Sequence, residues 1–87
     1  MTAHVKERLY SRFMMTDSYF NKEFALSTEK KHFFKVSRLC NKKKVVICCK
    51  IGTELMTIVL SKNSGVIRTV MIPKTEEYEK AKRIGLV

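Results

Sequence analysis

The chain has 87 residues, 45% of them hydrophobic, one proline and a formal charge of +10. That length makes a single domain, residues 1–87, with a modest core, and the apolar content excludes a solvated, disordered polymer. No apolar run is long enough to cross a bilayer, and His4, Lys6, Glu7 and Arg8 break up the N-terminus where a secretory signal needs an unbroken apolar stretch, so a cytoplasmic location is expected.

Val5, Leu9 and Phe13, with Tyr10 and Met14 beside them, follow spacings of three and four and predict an amphipathic helix over residues 3–14. Thr16 or Asp17 is placed to cap a second short helix through Phe20, Glu23, Phe24 and Leu26, because a side-chain oxygen there accepts from the free amides of a first turn. From His32 to Leu39, aromatic and branched residues alternate with polar ones and predict a strand, interrupted by Asn41, Lys42 and Lys43. A second strand, Lys44 to Ile51, ends at Gly52 and Thr53; a third runs from Leu55 to Leu60; Lys62 to Gly65 turns the chain into a fourth, Val66 to Ile72.

Reversals this short join antiparallel neighbours, so a four-stranded meander is expected. Pro73 ends it for want of an amide, and Thr75 is expected to cap a last helix with Glu76 and Glu77 first and Lys80, Lys82 and Arg83 last, the order that suits the helix dipole. Tyr78 and Ala81 are expected to face the sheet. The fold class is therefore α+β: N-terminal helices, a four-stranded antiparallel meander sheet and a C-terminal helix.

Both faces of that sheet are apolar. Val45, Ile47, Cys49 and Ile51 share one side of the second strand, with Val46, Cys48 and Lys50 on the other, while Met56, Ile58 and Leu60 oppose Leu55, Thr57 and Val59 on the third. Short helices cover one face, so the other suggests a homodimer, or close packing of the N-terminal segment.

Charge is distributed far less evenly than apolarity. Residues 1–29 and 76–87 each sum to zero, whereas the segment between them carries eleven bases against Glu54 alone and so holds the whole charge of +10. Lys30, Lys31, Lys35, Arg38, Lys42, Lys43, Lys44, Lys50, Lys62 and Arg68 are the candidate nucleic-acid-binding residues, because each phosphate met by a Lys or Arg releases condensed counterions. The three adjacent lysines at 42–44 cannot all pack inward, and at least two are expected to reach solvent. Phe33 and Phe34 offer one ring each to a base, but neighbours on a strand point to opposite faces. No base-reading motif accompanies them, so binding is expected to address phosphate and shape.

No enzymatic activity is expected. His32 lies among lysines and phenylalanines, Cys48 and Cys49 sit in an apolar strand where thiols act as small hydrophobes, and the three glycines fall at turns or a helix end. The odd cysteine count, with two adjacent, argues against a disulfide framework, and no spacing suits zinc, so no metal or cofactor is expected.

In its size, its basicity and the run Asn41, Lys42, Lys43, Lys44 between strand-like segments, the chain resembles the TifA-like toxin-inhibiting factors of large tailed phages. The resemblance implies a dimeric phage RNA-binding protein that acts in the host cytoplasm and neutralises the endoribonuclease toxin ToxN of a bacterial defence system. Phosphate contacts themselves do not separate RNA from DNA; the resemblance favours RNA. The alternative is an inhibitor whose basic face docks directly on an acidic host protein, using the same charges.

Overall fold

A computed structural model describes residues 1–87. Two N-terminal helices, α1 (Ala3–Phe13) and α2 (Asp17–Lys30), precede the strands β1 (Phe33–Lys35), β2 (Lys44–Ile51), β3 (Glu54–Ser61) and β4 (Ile67–Met71), and α3 (Thr75–Arg83) closes the chain. The strands form one antiparallel sheet in the order β1-β2-β3-β4, the expected meander in the expected α+β class.

Local chemistry accounts for the helix ends. Thr2 and Thr16 each accept a first-turn amide, from Val5 and Tyr19 respectively, both at 3.2 Å. At the C-terminal ends Met14 and Lys31 take the left-handed conformation, φ 50° and 58°, and turn their amides back onto the last carbonyls. Glycine is the usual residue there, so both side chains are held in a conformation that costs about 1–2 kcal/mol.

The register sorts the apolar residues onto two faces. One carries Ile47, Cys49, Ile51, Met56, Ile58 and Val70, and packs against Val5, Leu9 and Phe20 from the N-terminal helices and Met15 from the link between them. Phe20 is fully buried and stacks on Phe24 with ring centroids 5.4 Å apart. The other face carries Val46, Cys48, Leu55 and Val59. Val36, Ala81 and Leu86 cover it, with Phe34, Leu39, Cys40 and Met71 packed around them. The two-sided pattern thus has its partners within one chain, and the apolar face that suggested a homodimer is closed by α3, the C-terminal residues and the segment after β1.

Several boundaries depart from expectation. The strand expected over residues 32–39 stops at Lys35, because Val36 turns inward to bury its side chain and accepts the Leu39 amide at 3.0 Å, starting the 3-10 turn Ser37–Leu39. Helix α2 continues to Lys30, which places Lys30 and Lys31 at a helix end instead of a strand start. Lys74, without a side-chain cap bond, precedes α3, so Thr75 is its first helical residue. On α3, Ala81 is buried as expected, but Glu77 rather than Tyr78 lies inside, and Tyr78 is exposed. Strand β4 carries an irregularity opposite Val59 and Leu60, where Thr69 and Ile67 are their partners and Arg68 is left between.

The sheet edges are guarded differently. On β4 the Arg12 guanidinium donates to the Val70 carbonyl at 2.8 Å, and His4 meets the Thr69 hydroxyl at 3.2 Å. β1 is short and ends in the exposed Lys35, two features that discourage pairing with another strand.

Candidate nucleic-acid interface

With both faces covered, the lysines lie at the ends and along one edge of the sheet. At one end the Asn41 side-chain oxygen accepts the amides of Lys43 and Lys44, at 2.8 and 3.0 Å, and fixes the turn that displays them. Lys42 and Lys43 are exposed, as expected, while Lys44 is half-buried. The Lys62 amide donates to the Lys43 carbonyl at 2.9 Å, and Lys44 pairs with Ser61, so the 41–43 and 62–65 turns are adjacent. Arg68, exposed at the irregularity in β4, lines a cleft with Lys44, Val59, Thr69 and His4. Lys42, Lys43, Lys44, Lys62 and Arg68 therefore form a patch to which the fold adds His4.

A second group gathers at the opposite end of β2. The His32 amide donates to the Ser27 carbonyl at 2.8 Å, the Lys50 amide to the His32 carbonyl at 3.0 Å, and the Ser27 hydroxyl to the Lys50 carbonyl. These bonds set Lys30, Lys50 and His32 around one shallow pocket beside Lys31, although Glu23 shares it. At about 3.4 Å per residue, Lys44 and Lys50 are about 20 Å apart along the strand, so the candidate cations divide into two patches.

Lys35 and Arg38 belong to neither patch. They line a cleft of about 360 Å³ between the β1 edge and α3, with Phe34 on one wall and Lys80 and Arg83 on the other. Arg38 is spent there: its guanidinium donates to Glu76 and, at 3.1 Å, to the buried Glu77. It alone among the candidate cations is ion-paired; the other two ion pairs of the chain, Lys6–Asp17 and Arg8–Glu7, lie on the N-terminal segment. Lys80 and Arg83 escape a reading by segment charge because residues 76–87 are neutral as a whole. Their three-residue spacing on one helix is the signal that points to a shared side.

Burial makes Cys48 and Cys49 poor nucleophiles. All three cysteines are free, and burial pushes the Cys48 thiol up to about 12, with help from the Glu77 carboxylate and Cys49, and the Cys49 thiol up to about 11. The Thr57 hydroxyl opposite Cys48 is buried with no hydrogen-bond partner of ordinary geometry, and its weak interaction with the thiol offsets little of the burial. No three His, Cys, Asp or Glu side chains are grouped as a metal centre requires. No helix is long and apolar enough to cross a membrane.

Comparison with protein-family models, with curated proteins and with solved structures finds no match for this chain.

Proposed function

We propose that this is a small non-catalytic RNA-binding protein that captures phosphates at the basic end of its sheet, with Lys42, Lys43, Lys44, Lys62 and Arg68 as the principal contacts and the Lys30, Lys31, Lys50 group as a second, weaker point of attachment. The observation that carries this reading is that five cations meet on two hydrogen-bonded turns and on the neighbouring ends of β2 and β4, and none is ion-paired. A solubilising charge needs no such convergence, whereas a polyanion gains affinity from every counterion released at one place. RNA is favoured over DNA by the likeness to phage toxin-inhibiting factors, and the same likeness gives the biological reading: neutralisation of an endoribonuclease toxin through bound RNA.

The test replaces Lys42, Lys43 and Lys44 with glutamine. Lys42 and Lys43 are exposed and Lys44 is half-buried at the start of β2, so the substitutions at 42 and 43 are each expected to move stability by no more than about 0.5 kcal/mol and the fold is checked by circular dichroism. Affinity should fall for every RNA sequence, and the slope of log affinity against log salt should flatten by up to about 0.9 for each phosphate no longer neutralised on a duplex, or about 0.7 on a single strand. Unchanged affinity and slope, with the circular dichroism spectrum intact, would return the lysines to a solubilising role. Partner capture that survives digestion of RNA and DNA would instead support direct docking on an acidic protein.

A further inference from the structure

The two phenylalanines at the start of the basic segment have separate fates. Phe33 packs into the N-terminal core, while Phe34 emerges on the other side of β1 as part of the wall beneath α3. Its ring is only half-buried, and the Lys80 ammonium sits over it, 4.8 Å from the centroid. That arrangement puts an aromatic ring on the wall of an open cleft, with the exposed Lys80 side chain lying over it.

We propose that this cleft is a binding site for one unpaired nucleotide of a single-stranded RNA, whose base stacks on Phe34 in place of Lys80 while its phosphates meet Lys80, Lys35 and Arg83. The inference rests on the RNA-binding reading above and names the form of RNA that this cleft takes. A base covers the ring far more fully than an exposed ammonium does, so the exchange is favourable, and the displaced lysine becomes a phosphate ligand. The carboxylates in the cleft do not oppose it, because both Glu76 and Glu77 are held by Arg38, which leaves Lys35, Lys80 and Arg83 without an acidic partner. The cleft's volume, about 360 Å³, lies in the range of small-ligand sites. The chain runs directly from Lys35 and Arg38 to the turn at Lys42 and Lys43, so a strand lying on the basic end can continue along the β1 edge into the cleft. A duplex keeps its bases stacked on one another and offers none to Phe34.

The experiment compares an unstructured twelve-nucleotide RNA with a twelve-base-pair RNA duplex, each titrated against the parent protein, Phe34→Leu and Phe34→Tyr. Phe34→Leu should weaken single-strand binding about tenfold, leave duplex binding within about twofold, and leave the salt slope unchanged, because removing a stack changes no counterion release. Phe34→Tyr keeps the ring and should bind the single strand like the parent. Equal losses on both RNAs, or none on the single strand, would overturn the nucleotide site while leaving phosphate capture standing; a parent protein that binds neither RNA would overturn both. A measurement on the parent protein needs no variant to fold: single-stranded RNA bearing 5-iodouridine, irradiated in the complex, should cross-link to Phe34. Adducts confined to other residues would overturn the site.

Discussion

The two faces of the sheet are closed by different means. Over one, Val5, Leu9 and Phe20 lie directly on Ile47, Met56, Ile58 and Val70, and the one polar side chain buried beside them, Ser27, is neutral and donates to the Lys50 carbonyl. Over the other, Ala81 and Leu86 supply less area, and the seal is completed by charge: a buried Glu77 carboxylate beside the Cys48 thiol, tied to Arg38 across the cleft. The first face gains its stability from apolar area. The second gives up some stability to keep a polar, accessible margin where α3 meets β1, and that margin is the cleft.

The largest effect expected from this contrast is on the apolar face. Phe20→Ala removes a fully buried ring and should cost about 3–5 kcal/mol in urea unfolding; a loss near 1 kcal/mol would mean that the two faces are not so different. Next comes alkaline pH. A thiol whose folded pKa is raised contributes stability that is complete below its unfolded value, near 9.0, and is lost as pH climbs towards the folded value of about 12 for Cys48. Stability should therefore fall by on the order of 2–3 kcal/mol by pH 11 on account of this group, and Cys48→Val should remove that share of the slope while leaving the share due to Cys49, whose thiol is raised to about 11.

A smaller loss is expected at the cleft. Arg38→Met strands the buried Glu77 carboxylate; because the guanidinium is 44% exposed and its ion pair is screened by solvent, the cost should be about 1–2 kcal/mol at neutral pH. Thermal melts of variant and parent at neutral pH measure the difference, and equal melting temperatures would mean that Arg38 does not hold the carboxylate. The smallest effect is a gain. Lys31→Gly relieves the left-handed conformation at the end of α2 and should stabilise by about 0.5–1 kcal/mol while removing a cation of the second patch, so stability rises as RNA affinity falls.

Period-two alternation made β2 and β3 legible, down to which residues share a face, and the spacing of Val5, Leu9 and Phe13 located α1, although Tyr10 and Met14, expected beside them, are exposed and Met14 lies past the helix end. The errors occur where tertiary packing overrides local preference. Phe33 to Leu39 has the composition of one strand, yet the burial of Val36 bends the chain into a 3-10 turn after Lys35. The C-terminal half of α2 buries Ser27 alone, so little apolar period marks its end. In the candidate site, the lysines at 42–44 were readable as a displayed turn because asparagine followed by three lysines has few other uses. The pairing of Arg38 with Glu76 and Glu77 was not, since it joins residues far apart in the chain, and the local neutrality of α3 hid Lys80 and Arg83.

Helix α1 packs along β4, the last strand of the sheet and the one farthest from it in the chain: His4 meets Thr69, Arg12 reaches the Val70 carbonyl, and Val5 and Leu9 share a core with Val70. During synthesis the opening helix therefore has no complete seat until Met71 has left the ribosome. Until then its apolar stripe must wait on a nascent chain that already displays its full complement of basic turns. Docking of α1 is thus a late event, and a chain truncated before β4 leaves both α1 and the free edge of β3 exposed to aggregation.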